Sequence, residues 1–265
     1  AKRLTSLVDR MASGAVISID AAWGEGKTFF GRNWALQLGQ DGYKVAYIDA
    51  FEQDYIEDPF LLIASEIAIL MKDQDELVQE FKDGAVAVMK AVLPIATKSM
   101  VSAATKIALS SIGIPAGLSD AMNSSADSVA DGTEAWLRKR IDDHDKEKQA
   151  LRSFKNKLTE FSVMQNKKVV IFIDELDRCR PDYAISLIER LKHFFDVPNV
   201  VFVLLINRQQ LERAVKGVYG PDTDAELYLG KFINLNFCLP KIRSDESERI
   251  GFVGKYIEHV LNKYE

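Results

Sequence analysis

A lysine followed by a hydroxyl residue, directly behind a glycine-rich turn, is suited to gripping a chain of phosphates. The stretch Ala21-Ala22-Trp23-Gly24-Glu25-Gly26-Lys27-Thr28 has this form. Backbone N–H groups of Trp23, Gly24, Glu25 and Gly26 would wrap the phosphates, aided by the partial positive charge at the start of the next helix. Lys27 would reach the β- and γ-phosphates of a nucleoside triphosphate, and the Thr28 hydroxyl would ligate Mg²⁺. Gly24 and Gly26 permit backbone conformations and approaches that a Cβ would obstruct. The pattern GxxxxGK[ST] has one departure here. Its first glycine is Ala21, which is tolerable if its φ is negative.

A second motif supplies the acids. Val169–Ile173 is an apolar run tipped by Asp174 and Glu175. An apolar strand ending in Asp holds a carboxylate at the carboxyl edge of a sheet, where it can face the metal through a bound water. Asp174 is assigned that role. Glu175, next along, would polarise the attacking water as a general base. Val200–Ile206 is a further apolar run, and Asn207 at its tip either senses the γ-phosphate or lytic water, or caps the next helix. The two roles are compatible.

These residues need elements to carry them. Ala15–Asp20, Lys44–Asp49, Val169–Ile173, Val200–Ile206 and Leu235–Leu239 read as strands. Ala1–Met11, Lys27–Leu38, Phe60–Lys72 after Asp58-Pro59, Pro181–Phe195, Arg208–Lys216 and Ser247–Tyr264 read as helices. Apolar strands alternating with helices imply a parallel sheet covered on both faces. Residues 73–165 hold no convincing strand and are rich in Ala, Ser, Lys and Met, which predicts a helical insertion.

Four blocks together resemble the KAP family of P-loop NTPases. They are AWGEGKT at Ala22–Thr28, FIDELDRCRP at Phe172–Pro181, FVLLINRQQL at Phe202–Leu211 and YLGKFINLNFCLP at Tyr228–Pro240. The expected fold is therefore α/β, a P-loop NTPase three-layer fold with a mostly parallel sheet and a helical insertion between the two phosphate motifs. Residues 1–72 and 166–265 would form the two parts of the core, and 73–165 the insertion. The resemblance implies ATP and Mg²⁺ as cofactors, ATP hydrolysis, an additional strand between the two phosphate motifs, and a catalytic glutamate, Glu175, beside the metal-site Asp174. Lys231 matches the last block without a physical role. Prokaryotic members are associated with phage defence, a setting that comes from the resemblance alone.

Transition-state charge in such enzymes is often neutralised by an arginine, in cis or from a neighbouring subunit. Arg178 is the first choice, with Arg180 and Arg208 as further candidates. Self-association or a protein partner is accordingly expected. The chain of 265 residues has 47% hydrophobic and 28% charged residues, net charge −5 and a pI near 5.4. That field does not attract nucleic acid. The basic cluster Arg138-Lys139-Arg140 runs straight into Asp142 and Asp143, as a solvated helix face does. A GTPase switch is disfavoured because Asn207-Arg208-Gln209-Gln210 lacks the aspartate that reads guanine. The competing reading is a nucleotide-gated switch or scaffold with little turnover.

Family members often carry membrane spans in the insertion. Here Gly84–Gly117 is interrupted by Lys90, Pro94, Lys98, Lys106 and Pro115, whereas a span needs about 20 mostly apolar residues. Soluble amphipathic helices in a cytoplasmic protein are expected, with a surface-lying membrane helix as the alternative. Two cysteines, Cys179 and Cys238, suggest neither a disulfide framework nor zinc. The arginines flanking Cys179 could lower its thiol pKa, although a passive thiol is the favoured reading. His144, His193 and His259 show no metal spacing and are assigned to structure or surface.

Overall fold

The computed structural model describes residues 1–11, 13–56, 58–92, 133–194 and 197–240. The first elements are α1 (Lys2–Arg10), β1 (Ala15–Asp20), α2 (Lys27–Gln40), β2 (Lys44–Asp49), α3 (Pro59–Leu70) and α4 (Asp75–Val92). They are followed by α5 (Thr133–Met164), β3 (Val169–Asp174), α6 (Pro181–Leu191), β4 (Val200–Ile206), α7 (Arg208–Tyr219), α8 (Ala225–Leu229) and β5 (Leu235–Cys238).

The five strands form one sheet in the order β2-β3-β4-β1-β5, and every neighbouring pair is parallel. Parallel neighbours need crossovers long enough for helices, which then cover both faces. The strand compositions follow from that burial. In β3 (VVIFID) and β4 (VVFVLLI) every residue is buried, so no polar alternation survives. Alternate side chains still serve different layers. Ile17, Ile19, Phe172, Val201, Val203 and Leu205 pack with α1 and α2 through Leu4, Val8, Trp34 and Leu38. Val16, Ile171, Ile173, Phe202, Leu204 and Ile206 face α3 to α8 on the other side. The result is three layers.

The order sets β4 between β1, which leads into the phosphate loop, and β3, which carries the acids. This is the additional strand that the resemblance implies. β4 also fixes how closely α2 lies on the sheet. A Cβ built at Gly31 would sit 2.2 Å from Leu205 Cδ1. Gly31→Val should therefore lower the unfolding free energy by about 1–3 kcal/mol through overpacking, measured as a lower denaturant midpoint at unchanged slope.

The only elements described between residues 75 and 164 are α4 and α5, which run antiparallel, with Gly84 against the Phe154 backbone and Glu80 paired with Lys157. Their base belongs to the core. Phe81 and Phe154 meet tilted at 4.7 Å, Phe154 meets Phe194 at 5.6 Å, and Phe194 meets Phe202 of β4 at 5.6 Å. No helix among the described residues is long and apolar enough to cross a membrane. Most of Gly84–Gly117, the expected helix Ser247–Tyr264 and His259 lie outside the described residues, as do the side chains of Arg138, Lys139, Arg140, His144 and His193.

Some element limits differ from the sequence reading. α6 stops at Leu191 and tightens into a 3₁₀ turn over Lys192–Phe194 rather than continuing to Phe195. α7 runs on to Tyr219 and ends at Gly220, whose φ is 102°. α8 was missed because five residues are too few to show a helical period. Its cap is nevertheless conventional, with Asp224 accepting from the Leu227 N–H at 2.9 Å. In the following segment Asn234 accepts from Val16 N–H at 2.7 Å, while the Ser18 hydroxyl donates to Asn236 at 2.6 Å. These bonds tie edge strand β5 to the strand that feeds the phosphate loop.

Candidate functional site

The loop Ala21–Gly26 leaves the carboxyl end of β1 and enters α2. Gly24 and Gly26 have φ of 79° and 87°, the left-handed region, and a Cβ at either would meet no atom within 4 Å. The cradle is open, and the glycines serve its backbone curvature. Ala21 is not among the residues with positive φ; it is buried and donates its N–H to the Ile206 carbonyl, which closes the loop against β4. The departure from glycine thus meets the condition set for it. The N-cap of α2 is Gly26, which brings no side chain of its own, so the helix opens directly on the loop.

Lys27 is buried, and its ammonium donates to the Ala21 carbonyl at 2.8 Å and the Ala22 carbonyl at 3.2 Å. An ammonium has three donors, so one remains for a phosphate oxygen. Glu25 accepts from the Ala22 N–H at 2.8 Å, bracing the loop from within. Trp23 stands half-exposed and its indole N–H donates to Asp177.

The acids lie opposite. Thr28 Oγ1 donates to Glu175 Oε1 at 3.4 Å, which joins the two motifs across β4. Asp174 is buried, with both carboxylate oxygens engaged: Oδ1 accepts from the Glu175 N–H at 2.9 Å and Oδ2 from the Tyr47 hydroxyl at 2.7 Å. Glu175 has a φ of 58°. A left-handed non-glycine residue costs of order 1–3 kcal/mol and persists where the surroundings impose it. Here it swings the Glu175 carboxylate off the strand axis towards Thr28. Burial, and then the neighbouring Asp174 charge, hold that carboxyl above the usual glutamate range, with Arg178 opposing the rise.

Arg178 Nε lies 2.6 Å from Glu175 Oε2, so the first-choice arginine meets the site within its own chain. Arg180 instead donates to the Asp54 carbonyl, and Arg208 is held by Glu212 and Glu226 at 2.9 and 3.0 Å. Asn207 caps α7 by accepting from the Gln210 N–H. Asp20, which the sequence reading did not single out, accepts from the Arg208 N–H at 2.9 Å and so binds the start of α7 to the tip of β1. Lys231 gains a contact, with its ammonium 5.7 Å from the Tyr228 ring centroid.

Cys179 is the passive thiol of the favoured reading. Its thiol is pushed up to about 12 by burial first and then by Asp54, Asp49 and Asp177. The neighbouring arginines are directed elsewhere, so no activated thiol results.

Does this donor set suit magnesium? Among the described residues no three His, Cys, Asp or Glu side chains converge as a metal cage. Mg²⁺ characteristically uses one or two carboxylates, water and substrate phosphates rather than an all-protein cage. The Thr28 hydroxyl, the fixed Asp174 carboxylate and the open glycine cradle fit that habit. The KAP family P-loop domain matches residues 1–251 of the chain.

The chain belongs to the KAP family. Its four resembling blocks thereby gain a common explanation: two carry the phosphate loop and the acids, one carries β4, and YLGKFINLNFCLP secures β5 beside β1. Nucleotide binding is the property this membership supports. No curated protein matches the chain.

Proposed function

We propose that this KAP-family chain binds ATP with magnesium and hydrolyses it to drive a conformational change. The observation that carries the proposal is the meeting of Thr28 and Glu175 at 3.4 Å, with buried Asp174 adjacent. Metal-hydroxyl, metal-carboxylate and base candidates come from two distant motifs, and chance seldom brings them together. Bound Mg²⁺ would neutralise charge developing on the phosphates, held by Thr28 and, through water, by Asp174. Lys27 and the loop N–H groups orient the triphosphate. Glu175 accepts the proton of the attacking water, and a base of raised pKa is better matched to that task near neutrality. Asn207, at the tip of β4, is the γ-phosphate sensor in this reading as well as the cap of α7.

The test is phosphate release from ATP with Mg²⁺, repeated with GTP and with the metal chelated. Magnesium-dependent release that prefers ATP is expected. Tight ATP binding without release would replace hydrolysis with the second reading, a nucleotide-gated switch or scaffold. One observation favours that reading: the Glu175 carboxylate is engaged by Arg178 as well as by Thr28. A partner, or a second copy of the chain, would then be needed to draw Arg178 away.

Arg178→Ala discriminates. As the charge-neutralising arginine, its loss should cut turnover by about tenfold or more, below the roughly 10³–10⁵ of a fully engaged arginine finger. ATP affinity should stay within a factor of about two. Increased turnover would identify Arg178 as a brake on Glu175 instead.

A further inference from the structure

The geometry points to Tyr47 as a positioning residue that sets the Asp174 carboxylate for its metal. This inference rests on the reading of Asp174 given above. It begins with strand register. Tyr47 of β2 pairs with Phe172 of β3, and Asp49 pairs with Asp174. Phe172 and Asp174 are two residues apart and share a face of the sheet. Asp174 is therefore a diagonal neighbour of Tyr47 on the adjacent strand, a separation that long and aromatic side chains can bridge. A phenol is long enough to span that diagonal, and its hydroxyl meets Asp174 Oδ2 at 2.7 Å.

The ring is held so that the hydroxyl cannot wander. It stacks on Phe172 at 5.8 Å with an interplanar angle of 17°, and the Arg32 guanidinium of α2 stands 5.7 Å from its centroid. Asp174 Oδ1 is fixed by the Glu175 N–H, so two bonds define the carboxylate plane. Each carboxylate oxygen retains a further lone pair for a metal-bound water. Outer hydrogen bonds of this kind orient ligands, and their removal typically weakens metal binding by roughly 10- to 100-fold.

The substitution Tyr47→Phe keeps the stacked ring and removes only the hydroxyl. The measurement is the affinity of a non-hydrolysable ATP analogue across a series of free Mg²⁺ concentrations, down to excess chelator. For Tyr47→Phe, the Mg²⁺ concentration giving half the metal-dependent gain should rise roughly tenfold, with affinity in chelator unchanged. An unshifted Mg²⁺ midpoint overturns the proposal. So does an equal loss of affinity with and without metal, because that would mark Tyr47 as a packing residue only. Asp174→Asn is run alongside. If it shifts the midpoint while Tyr47→Phe does not, only the role of Tyr47 fails; if neither shifts it, the metal role of Asp174 fails.

Discussion

Lys27→Ala is expected to weaken ATP binding by roughly 30- to 3,000-fold and to remove turnover at millimolar ATP. The estimate follows from truncating one partner of a desolvated charge pair, about 2–5 kcal/mol, at 1.4 kcal/mol per decade of affinity. Lys27 qualifies because its ammonium is already placed by the Ala21 and Ala22 carbonyls, in a buried setting where screening is weak. Little side-chain entropy is lost when phosphate arrives. Lys27→Arg should not restore binding, since a planar guanidinium fork is bulkier than the compact ammonium. Calorimetric titration of a non-hydrolysable ATP analogue measures the effect, with the thermal unfolding midpoint confirming that the variant is folded. Affinity within threefold of the unaltered chain would remove Lys27 from the phosphate site.

Tyr47 and Asp20 show what the linear order conceals. The phosphate loop was readable because its work is local: glycines, lysine and threonine act within one turn. β3 and β4 were readable because complete burial produces uninterrupted apolar runs. Partners across strands depend on register, which pairs residues 127 positions apart for Tyr47 and Asp174 and 188 apart for Asp20 and Arg208. No spacing rule announces such pairs. The position of β4 between β1 and β3 came from family resemblance for the same reason. Asn207 was readable as a cap, since Asn before a helical run has that mechanism, and the bond to Gln210 N–H is present. The passive reading of Cys179 holds because the arginines beside it in sequence are not its neighbours in space. Arg178 reaches out to Glu175 while the thiol turns inward beneath the Glu175 carbonyl.

Glu175→Gln is expected to lower turnover by about 10²–10⁴-fold, the range attributed to a positioned general base, while ATP affinity changes by less than about threefold. The amide has the same shape, and its oxygen can still accept from Thr28, so the junction between the motifs persists. What disappears is the capacity to take a proton from water. Loss of the ion pair with half-exposed Arg178 should cost only about 0–1 kcal/mol of stability. That loss is countered by no longer burying a charge, whose cost is visible in the raised carboxyl pKa. The unfolding midpoint should therefore remain close to that of the unaltered chain. The separation of effects is the informative result: Lys27→Ala removes binding, Glu175→Gln leaves binding and removes chemistry. Equal loss of affinity and turnover in Glu175→Gln would mean that Glu175 shapes the pocket through its left-handed turn and its bond to Thr28. The proton would then have to pass to another group, and Asp177, already joined to Trp23 of the phosphate loop, is a carboxylate on the same turn.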